Sequence, residues 1–144
     1  MIIRDEEDRQ EAIKLIKSWK LEKPMQLDAK PYKKNRSLAQ NSINAIWMRE
    51  IGKQTGHGEL YERCLCKLTY GVPIMLQDAD FAEAWQPYSK LPYEAQLKAM
   101  KIVDVTSLMD VAQMTNYLYE VENFAYDQGY HLTKPGQYDE ALGK

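Results

Sequence analysis

The densest chemistry in the sequence is the run Tyr32, Lys33, Lys34, Asn35, Arg36, which leads straight into Ser37. The residues after Ser37 follow helical spacing, so three cations stand at a helix N-terminus, where unpaired backbone N–H groups and the helix dipole favour an anion. Such a place suits a phosphate. Lys30 lies just upstream, and Tyr32 offers a ring on which a base can stack. Ser37, Asn41, Asn44 and Met48 fall on a second face of the same helix, beside its apolar stripe, and could follow a nucleic-acid backbone or base edge. A plainer reading uses the same residues: Ser37 and Gln40 satisfy helix-end donors, and the lysines are solvated. Both stand at this point.

Two smaller constellations suggest other chemistry. Asp28, Ala29, Lys30 closes an alternating segment and resembles the acid-x-Lys element of metal-dependent nucleases, since period two would put Asp28 and Lys30 on one face of a strand. The carboxylates that would complete such a centre, Asp8 and Glu11, are remote in sequence, and a charge pair guarding a strand edge fits the same residues. His57, Cys64 and Cys66 contain zinc-ligating atoms, but C-x-C on a helix points its thiols about 200° apart and names no fourth ligand. No metal site is expected. Cys64 is expected in the core and Cys66 near the surface, both reduced. No Gly-rich phosphate loop, H-E-x-x-H or G-x-S-x-G motif occurs, which removes many enzyme classes.

Charge is unevenly distributed. The chain as a whole carries −2, yet Lys20 to Gln54 holds eight bases against three acids, a balance of +5. Asp104 to Lys144 holds two bases against seven acids, a balance of −5. One part could therefore meet a polyanion while another repels it. With 144 residues, 44% apolar and 28% charged, the composition is that of one soluble globular domain rather than a disordered or fibrous chain. The absence of a long apolar run and of a signal-peptide pattern after Met1 sets the expectation of a cytoplasmic protein without a membrane span.

These residues must be positioned by regular elements. Periodicity predicts an amphipathic helix over about Glu6 to Lys20, and Pro24 ends the pattern. Short strands are expected at Met1–Arg4, Met25–Ala29 and Lys101–Val105. A helix over Ser37 to Gln54 opens with the S-x-x-Q capping box of Ser37 and Gln40 and ends at the Gly56, His57, Gly58 cluster. A further helix, Glu59 to Tyr70, should bury Leu60, Tyr61, Cys64, Leu65 and Leu68 and stop at Gly71, with an irregular connector from Val72 to Gln77. Asp80 with Glu83 can cap a helix through Tyr88, Pro92 can open a short one, and Asp110 with Gln113 starts a long one that Gly129 terminates. The expected class is α+β, mainly helical with a few short strands: a single domain over residues 1–134 and a loosely ordered tail over 135–144.

Several of these blocks together resemble a known family. Lys34, Asn35, Arg36, Ser37, Leu38, Ala39, Gln40, Asn41, followed by an apolar helix with Trp47, is similar to the N-R-S-L-x-Q-N signature of the NinB family of phage recombination proteins. Leu91, Pro92, Tyr93, Glu94 and then Val105, Thr106, Ser107, Leu108, Met109 resemble that family's L-P-Y-E and V-T-S-x-M segments. Phe124, Gly129, Leu132, Thr133 and Pro135 follow in the same order, so the resemblance spans most of the chain.

The resemblance implies a recombination mediator without enzymatic activity or cofactor, which binds single-stranded DNA and the host single-strand-binding protein and helps a recombinase load. It also implies an α/β homodimer shaped as a ring with a central channel. Carried over residue by residue, Arg36, Ser37, Gln40 and Asn41 would face DNA or the partner, joined by Lys30, Tyr32, Lys33 and Lys34 from the charge argument. One position departs from the family: Leu108 stands where members carry Lys or Arg, so a cationic contact of the implied groove is missing. The alternatives are the nuclease built on Asp28 and Lys30, and a protein–protein interaction module with only weak DNA contact.

Overall fold

A computed structural model describes residues 1–32 and 37–144, which group into two compact units, Met1–Lys33 and Lys34–Lys144. About 64% of the described residues are helical, and the β content is one isolated bridge residue, Asp110. The α+β expectation is therefore corrected to an all-helical one among the described residues. So is the α/β core that the family resemblance implies.

In the first unit, α1 (Glu6–Ser18) begins where the Asp5 carboxylate accepts the Asp8 N–H at 2.9 Å. Acidic side chains at Glu6, Glu7 and Asp8 and Lys17 in the last turn match the helix dipole. Glu6 is also paired with Arg9. Ala12 is buried, whereas Ile13, Leu15 and Ile16 are exposed. Residues 19–32 form neither helix nor strand. Met1–Arg4 and Met25–Ala29 are thus not strands: the alternating pattern of Met25–Ala29 supplies a face, but a strand also needs a neighbour for its backbone donors, and among the described residues none pairs with it.

The second unit is built around α2 (Leu38–Thr55), whose Ile43, Trp47, Met48 and Ile51 are fully buried. It packs on α3 (Glu59–Cys66), on α7 (Val111–Asp127) and on α8 (Tyr138–Ala141). From α7, Met114, Tyr117, Leu118, Val121 and Ala125 fill the other side of the core. Both expected capping boxes form: Ser37 with Gln40 before α2, and Asp110 with Gln113 before α7. Each has the same cause, a short oxygen-bearing side chain reaching the N–H three residues on while the longer amide reaches back.

The middle of the chain departs most from its local pattern. Gly71 does not stop a helix; its φ of −70° and ψ of −50° are right-handed, and α3 runs through a π turn (Lys67–Gly71) directly into α4 (Val72–Met75). Gly71 is needed for space instead, because a Cβ there would lie 2.8 Å from the Val105 side chain. Pro73 is tolerated because it falls in the first turn of α4, so the expected connector over Val72–Gln77 is largely helical. Asp78 rather than Asp80 caps α5 (Ala79–Ser89), accepting the Phe81 N–H at 3.0 Å. Leu60 and Tyr61 are exposed, and α3 buries Glu62, Cys64 and Cys66 in their place.

The expected strand Lys101–Val105 is a turn that extends the end of α6 (Tyr93–Ala99): Ile102 and Val103 both donate to the Ala99 carbonyl at 3.0 Å. Lys67 secures it, its Nζ donating to Met100 O at 2.6 Å and Val103 O at 2.7 Å. With the N–H groups of Lys101, Ile102 and Val103 donating back to the end of α6 and the cation on two carbonyls, the segment is held as a turn rather than extended. A 3₁₀ turn (Thr106–Leu108) then leads to α7.

The C-terminal residues pack on the rest of the second unit. Tyr138, Ala141 and Leu142 are buried, and Trp47 Nε1 donates to Thr133 O at 2.8 Å, which brings the segment onto α2. Local composition did not reveal this, because the partners lie 86 residues upstream.

The corner between α2 and α3 is tight enough to test. Gly56 (φ 78°) caps α2 in the left-handed region, and Gly58 N donates to Gly52 O at 3.2 Å. A Cβ on Gly52 would lie 2.5 Å from the Gly58 carbonyl carbon and 2.6 Å from the Glu59 nitrogen, both backbone atoms that cannot swing aside. Gly52→Ala is expected to lower unfolding stability by about 1–3 kcal/mol in a urea titration, despite the better helix propensity of Ala. A gain in stability would show that the corner has room.

Candidate nucleic-acid interface

Lys33, Lys34 and Arg36, together with Asn35, lie outside the described residues, so the site is built from what borders them. On the C-terminal side Ser37 sits at the N-cap of α2 with extended backbone (φ −76°, ψ 164°). Its Oγ accepts the Gln40 N–H at 3.2 Å, and its own N–H donates to Gln40 Oε1 at 3.0 Å. The box therefore uses two of the donors that a bare helix end would offer an anion.

Gln40 is not a surface contact. Its side chain is 1% exposed, and Nε2 donates to Val111 O (3.0 Å), Thr115 Oγ1 (3.0 Å) and Ala141 O (3.2 Å). An amide with two protons, shared among three acceptors, has none to give to DNA, so its expected role as a DNA- or partner-facing residue is corrected. The second polar face proposed for α2 divides likewise. Asn41 is exposed, as expected of a contact, but Asn44 and Met48 are buried, and Asn44 Oδ1 has no hydrogen-bond partner among the described residues.

The solvent side of α2 instead carries Leu38, Ser42, Arg49 and Lys53, spaced four, seven and four residues apart, with half-buried Ala45 between Ser42 and Arg49. Arg49 is braced by its Nε donating to Ala45 O at 3.2 Å. The run from Leu38 to Arg49 covers about 16 Å of helix axis at 1.5 Å per residue. Arg49 and Lys53 are exposed cations that sequence reasoning counts as charge but does not assign to a site; their four-residue spacing from each other is the signal available.

In the first unit, Lys30 and Tyr32 are exposed, with Tyr32 at 62%. Asp28 is exposed as well, and its carboxylate accepts from Gln26 Nε2 at 3.0 Å. Because no strand forms there, Asp28 and Lys30 are not aligned on one face by a period of two. Asp8 is engaged elsewhere, accepting the Arg4 N–H at 2.9 Å. Leu108, where the resemblance implies a cation, is exposed on the 3₁₀ turn.

Three polar groups, two buried and one half-buried, lie away from this face. Glu62, 1% exposed, accepts from Thr55 Oγ1 at 2.8 Å and faces His57 Nδ1 at 3.2 Å. Lys67 has its pKa lowered, first by burial. Cys66 is fully buried rather than near the surface, and burial, helped by the charge of Glu62, pushes its thiol from the ordinary 9.0 up to about 12. Among the described residues no three His, Cys, Asp or Glu side chains gather where they could hold a metal, and no helix is long and apolar enough to cross a membrane. Compared with known protein families, curated proteins and solved structures, the chain matches none of them.

Cys64 and Cys66 are both free and buried, so an aromatic disulfide reagent should label neither in the folded protein and both in denaturant. The raised pKa has a defined sign. An unfolded chain loses the Cys66 proton near 9 while the folded one keeps it to about 12, so the stabilising contribution is complete below pH 9 and lost between 9 and 12. Urea midpoints followed from pH 8 to 11 should fall less steeply in Cys66→Ala than in the parent. Equal slopes would show that Cys66 is not the group responsible.

Proposed function

We propose that the chain is a non-catalytic mediator of DNA recombination and repair, of the kind the NinB resemblance implies. It binds single-stranded DNA and the host single-strand-binding protein, needs no cofactor, and works as a homodimer in the bacterial cytoplasm. The observation that carries this reading is the exposed α2 face of Asn41, Ser42, Arg49 and Lys53, with Lys33, Lys34 and Arg36 just upstream of α2 in the sequence. Cations neutralise phosphates and release their counterions, while short polar side chains between them add hydrogen bonds without reading sequence. The support comes from the ordered sequence blocks and from this face, not from the fold. Exposed Ile13, Leu15 and Ile16 on α1 favour a dimer, because apolar side chains at helical spacing are more stable covered than in water.

Fluorescence anisotropy of a labelled single-stranded oligonucleotide, with and without Mg²⁺, tests the reading. Binding without cleavage is expected, with log affinity falling by about 0.7 per phosphate contact as log salt rises. Changing Lys33, Lys34 and Arg36 together to Ala should flatten that slope by about two units, three contacts at that increment, for every base composition. A folded triple variant that keeps both affinity and slope would show the basic turn to be only solvated. Mg²⁺-dependent cutting abolished by Asp28→Ala would establish the nuclease instead. Absence of any DNA binding, with retention of the single-strand-binding protein, would leave an interaction module.

Light scattering at tens of micromolar is expected to report about twice the 16.8 kDa of one chain. A monomer there would remove the dimer.

A further inference from the structure

Between Asp104 and Lys144 the sequence has two bases, Lys134 and Lys144, and the fold brings both to one tyrosine. Lys144 Nζ lies 4.7 Å from the centre of the Tyr138 ring and Lys134 Nζ 5.1 Å from it, within the distance at which an aromatic face attracts a cation. Two further rings line the place. Lys134 Nζ is 5.6 Å from the centre of the Tyr126 ring, and Lys144 Nζ is 5.8 Å from that of Tyr119. Tyr119, Glu122 and Tyr126 follow one another on α7 at steps of three and four, so one helix face carries a carboxylate between two rings. α8 brings the third ring to that carboxylate: Glu122, 7% exposed, accepts the Tyr138 hydroxyl at Oε2 over 2.6 Å, and the same hydroxyl accepts from Lys144 Nζ at 2.9 Å. Burial first, and then the bond to Glu122, hold the Tyr138 hydroxyl above the ordinary phenol range, which keeps it a neutral donor.

A carboxylate taken out of water needs a positive charge close by. Lys134 and Lys144 both feel the charge of Glu122, yet both residues are exposed: the site draws ammonium heads without enclosing them. Aromatic rings around a carboxylate are the means by which proteins recognise ammonium groups, alkylated ones above all, because the ring faces are negative and the methyl groups shed water easily. We propose that Tyr119, Tyr126 and Tyr138, set about the Glu122 carboxylate, form a binding site for an alkylammonium group, which the chain fills with its own Lys134 and Lys144 until a ligand displaces Lys144. An exposed cation–π contact is among the weaker ones, so Lys144 is a mild competitor. The site is separate from the DNA-binding reading and does not rest on it. The balance of −5 over Asp104 to Lys144 repels a phosphate backbone and attracts a cation. Two sources present the same chemistry, a free diamine and the lysine side chain of a protein.

NMR on the full chain tests this, with tetramethylammonium chloride as the probe and sodium chloride at equal ionic strength as the reference. The ring protons of Tyr119, Tyr126 and Tyr138 are expected to shift to saturation, and the methyl signal of the probe to move upfield, while the exposed Tyr61 and Tyr93 stay where they are. Lys144→Ala removes the resident competitor and should tighten binding by about two- to fivefold, the worth of one exposed cation–π contact. Glu122→Gln keeps an acceptor for the Tyr138 hydroxyl but loses the charge, and should weaken binding by at least as much. The signals of Ile43 and Ile51 in the core report whether each variant is folded. If Glu122→Gln does not fold, Tyr119→Leu at a half-buried position carries the same test by removing one ring. Shifts no larger than those in sodium chloride, in the parent and in Lys144→Ala alike, overturn the site. So does an affinity that neither Glu122→Gln nor Tyr119→Leu lowers. An affinity that Lys144→Ala does not raise overturns the displacement. Putrescine and Nα-acetyl-lysine methylamide are then titrated in the same way: the tighter of the two identifies the source of the ammonium group, and failure of both to bind overturns the assignment to an alkylammonium ligand.

Discussion

One buried primary amide sets the constraint on which the second unit depends. Gln40 has two protons and one carbonyl oxygen, and the fold directs them at α7, at the last turn of the chain and at its own N-cap. A buried polar group in this position stabilises only when every partner is in place, and leaving one out costs more than a single hydrogen bond contributes. The three segments must therefore arrive at one register. Apolar packing by Ile43, Trp47 and Ile51 drives the association, since burial of large side chains is the larger energy, but burial alone would accept several rotations of α2. The amide accepts one.

The same division of labour explains what could be read in the sequence. α2 and α7 were evident because their capping boxes and their apolar spacing are local, carried by residues three and four apart. The strands failed for a complementary reason. Lys101–Val105 has an apolar run that a strand could use, but Lys67, 33 and 36 residues away, holds the carbonyls of Met100 just before it and Val103 within it, and no window around the segment contains that information. Gly71 looked like a stop because glycine usually is one; here it makes room for Val105, a neighbour in space but not in sequence. Pattern identifies elements, and distant partners decide whether a marginal one survives.

The candidate site shows both effects within five residues. Ser37 and Asn41 lie where spacing put them, at the cap and on the surface, whereas Gln40 between them is spent on the interior. A glutamine at the third helical position is equally suited to a capping box, a buried clamp or a nucleic-acid contact, and only the position of Ala141 distinguishes them. Arg49 and Lys53 illustrate the converse. They complete the outward face of α2, yet their four-residue spacing is a weaker signal in the sequence than a run of adjacent cations.

The long reach of α2's polar heads bears on how the chain is made. Trp47 and Gln40 wait for partners 86 and 101 residues further along, which at synthesis rates of about 5–20 residues per second is several to about twenty seconds. For much of that interval α3 has been made but α7 and α8, which complete the cover of α2, have not. Gln40 and Asn44 interrupt the core-facing side of α2 with groups that water can satisfy in the meantime, which limits the sticky surface offered to other nascent chains. The amide that locks the finished fold thus also helps keep the unfinished one dispersed.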